Sequence, residues 1–359
     1  MAEKQLMKGN EAFAVAAINA GCRYYFGYPI TPQNEVPEYM SRELAKVGGS
    51  FIQAESELGA VNMAYGAAAA GGRVLLSSSS PGIALMQETI GLLSSVELPV
   101  VIINVMRGGP GIGSIQPSQA DYEMVTKGGS NGDYHTIVFA PNSIQEACDM
   151  IYKAFDVAEE YRNPVIVCAD GMIGQMMEPV SLPEPKKALF GDDIRAAKPW
   201  ALTGHRFERE RHALNSVWLQ QNLLEEYIDQ YWGKFEQAEE VLQDWEEYKV
   251  DDAEVVYVSY GSTSRIAKEA VDVLRGEGMK VGLIRPKTLW PFPAKAFDKL
   301  GPNVKKVISV ELSKAGQMLH DIKFVLAGRY ETALINRYGG MLLDPEEVIE
   351  RTKKIMEVE

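Results

Sequence analysis

The sequence has 359 residues, of which 46% are hydrophobic, and a formal net charge of −13 at pH 7. This length suffices for two domains with their own cores, or for one large domain with an insertion. The acidic balance without a Lys/Arg-rich face argues against binding to nucleic acid or anionic membranes, and no apolar run approaches the roughly 20 residues of a membrane span.

Helical and strand-like patterns alternate along the first half of the chain. Residues 9–20 predict a helix within a charged stretch that is unlike a secretory signal, which favours the cytoplasm. The other predicted helices are 57–70, 83–95 and 144–159, and the predicted strands are 23–27, 51–53, 74–77, 100–105 and 165–168. Apolar strands that alternate with helices of about a dozen residues are typical of βαβ units, so the sequence predicts an α/β fold with a parallel sheet.

The pattern changes in the second half. Residues 182–200 form a Pro/Lys/Asp linker. Residues 205–249 are charged with apolar residues at helical spacing, which predicts one or two amphipathic helices that cross between the domains. Such helices could bind a partner, but we expect them to cover the chain's own core. Alternation resumes with strands 255–259, 281–284 and 307–311 and helices 263–275, 317–326 and 344–359. We therefore expect an α/β domain over 1–181, a linker and amphipathic helical segment over 182–252, and a second, smaller α/β domain over 253–359.

Residues 28–32, Tyr-Pro-Ile-Thr-Pro, follow the predicted strand 23–27 directly. Each proline fixes its own φ and restricts the residue before it, so Thr31 lies on a stiff loop. Open α/β sheets bind ligands outside the carboxyl ends of their strands. The stretch therefore marks either a ligand site or a turn that only ends the strand.

Glu57 opens a predicted helix whose next turns consist mostly of Gly and Ala. A helix of small residues can approach a flat ligand or another backbone closely, and a carboxylate at a helix N-terminus is stabilised by the helix dipole. Capping explains Glu55 adequately. Glu57 is the better candidate for a functional carboxylate because it meets the small-residue helix directly.

Arg107 follows the predicted strand 100–105 and precedes the Gly-rich residues 108–113. A guanidinium can hold a carboxylate with two parallel hydrogen bonds, and glycines let a ligand approach backbone N–H groups. The glycine spacing does not match a dinucleotide-binding fingerprint. The four serines at 77–80 precede another helix, where they could bind an anion or cap the helix.

Cys22, Cys148 and Cys168 lie far apart in apolar runs, which predicts buried, reduced thiols. The sequence therefore offers no motif for an iron–sulfur cluster or a structural zinc ion. Its four histidines are scattered, so we expect no metal site in this chain.

These motifs together resemble the alpha subunit of 2-oxoacid:ferredoxin oxidoreductases, closest to the 2-oxoisovalerate (3-methyl-2-oxobutanoate) branch. The matching stretches cover essentially the whole chain and are 27–32, Glu57 within Glu-x-Gly-Ala, 78–82, 104–110 and 311–317. The resemblance implies a parallel-sheet, thiamine-diphosphate-binding-type (pyrimidine) domain followed by a smaller α/β domain like the transketolase C-terminal domain.

The resemblance also implies roles for individual residues. Glu57 would hydrogen-bond N1′ of the pyrimidine ring and so help to activate the thiazolium carbon. Thr31 would donate a hydrogen bond to an oxygen of the 2-oxo acid, and Arg107 would neutralise its carboxylate. The implied cofactor-binding residues are Tyr28, Pro29, Ile30, Glu57 and Ser80.

An active site shared with other chains is a further implication. Thiamine enzymes bind the diphosphate and a divalent metal through Gly-Asp-Gly and a later Asn, whereas residues 169–171 here are Ala-Asp-Gly without that Asn. We therefore expect Mg²⁺ and [4Fe–4S] clusters in separate beta, gamma and cluster-bearing subunits, with ferredoxin and coenzyme A as reaction partners. Position 313 is Ser where some relatives carry Asn, which leaves any role of Ser313 open.

Other functions remain possible from the residues alone. Branched-chain 2-oxo acids, pyruvate and 2-oxoglutarate all need the same carboxylate contact. One half of a transketolase-like transferase should carry histidines near the strand ends, and this chain has four histidines in all. A non-catalytic α/β scaffold subunit would have no reason to keep Glu57, Thr31 and Arg107 around one cleft.

Overall fold

The computed structural model describes residues 4–357. The strands of this part of the chain are β1 Gln5–Lys8, β2 Tyr24–Gly27, β3 Ser50–Gln53, β4 Val74–Ser78, β5 Val101–Met106, β6 Ile137–Phe139, β7 Val165–Asp170, β8 Met177–Val180, β9 Trp245–Tyr248, β10 Val255–Val258, β11 Val281–Pro286, β12 Thr288–Trp290, β13 Lys306–Glu311 and β14 Glu331–Asn336. The α-helices are α1 Gly9–Asn19, α2 Glu35–Glu43, α3 Glu57–Ala69, α4 Ser80–Ser95, α5 Tyr122–Thr126, α6 Ile144–Tyr161, α7 Gly171–Gln175, α8 Asp192–Ala197, α9 Gln221–Val241, α10 Gly261–Gly276, α11 Gln317–Leu326 and α12 Pro345–Glu357, with 3₁₀ turns at Leu44–Val47 and Ala294–Phe297. Within these residues, no helix combines the length and the apolar character that a membrane crossing requires.

A seven-stranded sheet carries the first half of the chain, in the order β12-β6-β7-β5-β4-β2-β3. Its strands are parallel except for β12, which runs antiparallel to β6. The central strands β4, β5 and β7 are buried along their whole length. Strands buried on both faces read as continuous apolar runs, which is why the sequence pattern identified them. The predicted α/β fold with a parallel sheet is confirmed.

The second sheet has five strands in the order β14-β13-β10-β11-β9. Four of them are parallel, and β9 joins antiparallel to β11. The sheets do not follow the expected division of the chain, because β9 comes from the segment 182–252, whereas β12, from 253–359, completes the first sheet. Such short edge strands depend on their pairing partners more than on their own composition, so the sequence pattern missed them.

The charged segment 205–249 contains one long helix, α9, and the preceding residues 209–218 form neither helix nor strand. Tyr231, Phe235 and Ala238 of α9 are buried in the main core. The prediction of an amphipathic helix that covers the chain's own core is thus confirmed. The apolar residues before position 221 lie outside that helix, although their spacing suggested a helix there too.

The three cysteines are free and buried, as expected from their apolar surroundings. Burial raises the pKa of the Cys22 and Cys148 thiols to about 12. Buried thiols with such high pKa values stay protonated and unreactive at neutral pH. Their role here is that of small core side chains.

Candidate functional site

The expected site residues lie at one edge of the seven-stranded sheet. Strands β2, β4 and β5 are parallel and neighbouring, so their carboxyl ends meet at the same edge. The loop 28–32 leaves β2 there, α4 begins there just after β4, and Arg107 directly follows β5. The fold thereby brings Thr31, Ser80 and Arg107 together.

Glu57 is the first residue of α3, and it is not the cap of that helix. The cap is Ser56, whose Oγ accepts a hydrogen bond from the Gly59 N–H at 3.1 Å. Glu57 is only 8% exposed, and its carboxylate makes no hydrogen bond or ion pair to any residue between 4 and 357. The result is an almost buried carboxylate whose hydrogen-bonding capacity is unused.

Gly82 of α4 provides the space that this carboxylate occupies. A Cβ at position 82 would lie 2.6 Å from Oε1 of Glu57 and 2.1 Å from Oγ of Ser78, closer than side chains can approach. Helices α3 and α4 pack against each other. Glycine at this position therefore lets α4 pass directly beside the Glu57 side chain.

The Arg107 guanidinium connects two loops. Nη1 donates to the Thr31 carbonyl oxygen at 2.7 Å, and Nη2 donates to the Ile112 carbonyl oxygen at 2.9 Å. Arg107 is 6% exposed, and its buried Nε has no partner among the described residues. Both Nη atoms, which were expected to hold a ligand carboxylate, therefore already bond to backbone carbonyls. Through these bonds, Arg107 holds the loop 28–32 against the Gly-rich loop 108–113.

Thr31 is half-buried on a loop that is anchored from behind. The carbonyl of the next residue, Pro32, accepts hydrogen bonds from Asn10 at 2.7 Å and from Gln175 at 2.6 Å. The Thr31 hydroxyl oxygen accepts one long hydrogen bond, 3.4 Å from the Asn34 amide. The hydroxyl hydrogen has no acceptor within residues 4–357 and is available to a ligand. Tyr28 and Pro29, on the same loop, are exposed, and Ile30 is half-buried.

The serines at 77–80 are buried and bonded within the chain. The Ser77 and Ser79 hydroxyls donate to Gln33 and to the Val105 carbonyl, respectively. The Ser80 hydroxyl donates to Asp121 at 2.6 Å and accepts from the Arg107 backbone N–H at 3.0 Å. These contacts fix the β4–α4 junction to β5, so the serines hold the site together from inside and do not form an open anion site.

Asp121 is a site residue that the sequence did not indicate, because it belongs to no motif. Its carboxylate accepts from Ser80 and, at 2.9 Å, from Asn104. Burial raises the pKa of Asp121 despite these two hydrogen bonds. Asp121 thus fixes the Ser80 hydroxyl, which in turn accepts the Arg107 backbone N–H.

Asp170 stands where a metal-binding Asp was considered in the sequence, and the structure gives it another role. Its Oδ1 accepts from the N–H groups of Met172 and Ile173, which caps α7. Its Oδ2 accepts from the Ser262 N–H at 2.9 Å. This bond connects the end of β7 in the first sheet to the start of α10, which follows β10 of the second sheet. The fully buried carboxylate is therefore occupied by backbone donors.

Two cavities open beside the loops that Arg107 connects. The first, about 530 Å³, contains Thr31, and Glu35 is the one charged residue among those described around it. Its apolar wall consists of Pro32, Ile115, Pro117, Met172, Met176 and Leu342. The second, about 680 Å³, lies between the Gly-rich loop and the second domain and contains Ser80, Asp121, Ser313 and Lys314. Glu57 lies on the wall of neither cavity.

Comparisons with known proteins agree with this architecture. The family described as pyruvate flavodoxin/ferredoxin oxidoreductase, thiamine diphosphate-binding, matches residues 15–246, and pyruvate:ferredoxin oxidoreductase core domain II matches residues 253–348. The ketoisovalerate oxidoreductase subunit VorB of Methanothermobacter marburgensis is 47% identical over 351 residues, which cover 98% of this chain and 97% of that protein. The 2-oxoglutarate synthase subunit KorA of Methanocaldococcus jannaschii is 37% identical and covers 96% of this chain and 98% of that protein.

Solved structures extend the likeness to three dimensions. A 2-oxoglutarate:ferredoxin oxidoreductase from Magnetococcus marinus superposes with a TM-score of 0.83 and 28% identity, over 98% of this chain and 65% of that chain. The present chain therefore spans about two thirds of that solved chain. A split-gene transketolase, at 14% identity and a TM-score of 0.60, shares the fold. The two matched regions and the full-length relatives show that this chain belongs to the 2-oxoacid:ferredoxin oxidoreductase family.

Proposed function

We propose that this chain is the alpha subunit of an enzyme that oxidatively decarboxylates a branched-chain 2-oxo acid with coenzyme A, giving acyl-CoA, carbon dioxide and reduced ferredoxin. The observation that carries the proposal is the Glu57 carboxylate, almost buried and without a hydrogen-bond partner in residues 4–357. The ketoisovalerate oxidoreductase subunits at 46–47% identity support the choice of substrate class.

The surroundings of Glu57 fit thiamine diphosphate. The Glu57 oxygens are not fully enclosed and have no partner in residues 4–357, so they can accept a hydrogen bond from a protonated pyrimidine nitrogen. Glycine at position 82 keeps a side chain away from Oε1 of Glu57, where a Cβ would lie only 2.6 Å from that oxygen. When bound, thiamine diphosphate supplies the carbon nucleophile and the electron sink of the reaction. The role proposed for Glu57 is to share a proton with the pyrimidine N1′ atom.

Thr31 and Arg107 are proposed to act together on the 2-oxo acid. The free hydroxyl hydrogen of Thr31 can be donated to a substrate oxygen. Arg107 holds the Thr31 carbonyl and brings positive charge to the same place, which favours a carboxylate nearby. Tyr28, Pro29 and Ile30 would contact the cofactor from the same loop, whereas Ser80 contributes through its hydrogen bonds to Arg107 and Asp121.

The cavity beside Thr31 supports a branched-chain side chain over that of 2-oxoglutarate. Its described lining contains apolar residues and Glu35, without a Lys, Arg or His. The second carboxylate of 2-oxoglutarate would find no counter-ion there and would face the charge of Glu35. An isopropyl group would instead bury apolar surface against Met172 and Leu342.

The diphosphate, its metal ion and the iron–sulfur clusters are proposed to belong to partner subunits. The carboxylate of Asp170 already accepts three backbone hydrogen bonds, so it has little capacity left for a metal ion. Likewise, the three cysteines are buried and separate from one another in the sequence. We expect this chain to contribute the pyrimidine side of a shared site.

The substrate assignment can be tested on the complex purified with its partner chains. With viologen as the electron acceptor, kcat/KM for 3-methyl-2-oxobutanoate should exceed that for 2-oxoglutarate about tenfold or more, because one buried, unpaired carboxylate costs at least about 1.4 kcal/mol. The isolated chain should show no turnover and no magnesium-dependent, tight binding of thiamine diphosphate by calorimetry. A complex that prefers 2-oxoglutarate would overturn the substrate class, and tight binding by this chain alone would overturn the shared site.

Thr31→Val tests the proposed substrate contact. Valine keeps the β-branched shape on the stiff loop and removes only the hydroxyl, so turnover of the complex should fall about ten- to a hundredfold while the melting temperature stays nearly constant. Steady-state kinetics and a melting curve on the same preparation measure both quantities. Thr332→Val, on the edge strand β14, is the matched control and should leave both unchanged. Native turnover in Thr31→Val would mean that the loop only terminates β2.

A further inference from the structure

A cluster of cations surrounds a small pocket at the amino ends of β2 and β4. The pocket has a volume of about 160 Å³, and five cations line it: Arg23, Arg73, Lys186, Lys187 and Lys198. Arg23 directly precedes β2 and Arg73 directly precedes β4, so the pocket lies at the edge of the sheet opposite Thr31 and Arg107. A concentration of cations in a chain of net charge −13 calls for an explanation of its own.

Ion pairs within the chain neutralise only part of this charge. Three carboxylates form ion pairs with four of the cations. Asp156 pairs with Arg73 and Lys186, and Glu159 pairs with Arg73 and Lys198. Asp193 pairs with Lys187. The Lys187–Asp193 pair is long, 3.3 Å, and solvent-exposed, so it contributes little. The five cations therefore exceed their carboxylate partners by two charges.

Arg23 is the cation without a carboxylate. It is 9% exposed, and no acidic side chain of residues 4–357 lies within ion-pair distance. Its Nη1 donates to the backbone carbonyls of Ile18 at 3.0 Å and Cys22 at 2.6 Å, whereas its buried Nε finds no acceptor in the described chain and its Nη2 makes no hydrogen bond there either. Carbonyl dipoles offset only part of the free energy that a buried charge costs.

We propose that this pocket, called the Arg23 pocket here, binds a phosphate group. A phosphate dianion would neutralise the two excess charges and accept hydrogen bonds from Arg23, and Arg and Lys are the usual ligands of phosphate in proteins. Gly21, with φ of +89°, lies in the wall next to the Arg73 and Lys186 side chains, so no side chain of its own narrows the pocket there. The pocket volume admits inorganic phosphate or the head of a small phosphate monoester.

A purely structural role for Arg23 makes a different prediction. Ile18 lies in the last turn of α1, and its carbonyl also accepts the Gly21 N–H at 3.0 Å; a cation at this helix end stabilises the helix. If that were its entire role, Arg23 would stabilise the chain equally with and without phosphate. Binding of phosphate therefore separates the two interpretations.

The test is a titration of the full chain with inorganic phosphate at constant ionic strength, with chloride as the replacement anion. We expect a saturable rise in melting temperature with an apparent Kd of about 1 mM or below, since a ligand that binds only the folded state stabilises it. A parallel titration with glycerol phosphate identifies the source of the phosphate group: tighter binding indicates a monoester, and equal or weaker binding indicates the free ion. The absence of a saturable rise with both probes would overturn the proposal.

Variants assign the effect to this pocket. Lys187→Gln removes a cation that is 82% exposed, so in chloride the melting temperature should be unchanged, while phosphate should bind several-fold more weakly. Arg23→Gln should weaken phosphate binding about tenfold or more, because it removes the buried charge. Lys299→Gln is the matched control, an exposed lysine in the second domain with one long ion pair, and should bind phosphate like the native chain. If Lys187→Gln and Arg23→Gln both keep native affinity, phosphate binds elsewhere and the proposal is wrong.

Discussion

Glu57→Gln should lower turnover of the assembled complex by about 100- to 10,000-fold, the range that a positioned proton-transfer group contributes. Glutamine has the same size and can still form a hydrogen bond, but it cannot take up or release a proton at the pyrimidine N1′ atom. Exchange of the thiazolium C2 proton for deuterium, followed by NMR in the complex, reports this step without the rest of the reaction and should slow in parallel.

The fold and the assembly should tolerate this substitution. Ser56, and not Glu57, caps α3, and the Glu57 carboxylate makes no hydrogen bond within residues 4–357. Loss of its interaction with the helix dipole costs about 0.3–1 kcal/mol. Glu55→Gln is the matched control, since Glu55 is exposed two residues earlier at the same helix end. An unchanged exchange rate in Glu57→Gln, or an equal loss in Glu55→Gln, would remove Glu57 from the proposed chemistry.

The sequence identified the helix end that carries Glu57, but it did not show which residue caps the helix and which keeps a free carboxylate. Glu55, Ser56 and Glu57 are all residue types that favour a helix N-terminus, so the pattern cannot tell which one is the cap. Their roles separate only in three dimensions, where Ser56 bonds to Gly59 and Gly82 makes room for the Glu57 side chain. The contribution of Gly82 depends on how α3 packs against α4, and no local pattern reports that.

The sequence also predicts the central strands of the parallel sheet better than the strands at the sheet edges. Strands β4, β5 and β7 are predictable because a strand buried on both faces must be apolar throughout. Strand β9, with the sequence Trp-Glu-Glu-Tyr, owes its existence to pairing with β11 at a sheet edge. The sequence could not predict the hydrogen-bond partners of Arg107 either. They are the backbone carbonyls of Thr31 and Ile112, and every residue carries such a carbonyl.

Arg107→Lys should raise KM for the 2-oxo acid about ten- to a hundredfold while changing KM for coenzyme A little, because a displaced Thr31 loop loses the proposed hydrogen bond to the charged substrate, which is worth about 1.5–3 kcal/mol. A lysine amine keeps the charge, but it lacks the planar fork that reaches the Thr31 and Ile112 carbonyls together. Steady-state kinetics with each substrate varied in turn gives the comparison. Arg42→Lys, on the exposed side of α2, is the control and should behave like the native chain. If both KM values move together, Arg107 serves the structure as a whole or a partner contact.

A double-mutant cycle with Thr31→Val then distinguishes two ways in which Arg107 can act on the substrate. If Arg107 works mainly by positioning the Thr31 loop, the double variant should lose little more than the worse single variant, because both changes remove the same contact. If the guanidinium also holds the substrate carboxylate directly, the two losses in kcat/KM should multiply. The short bond from Nη1 to the Thr31 carbonyl and the burial of the guanidinium favour the first outcome. Fully multiplicative losses would contradict the positioning role and would assign the remaining N–H groups of Arg107 to the substrate.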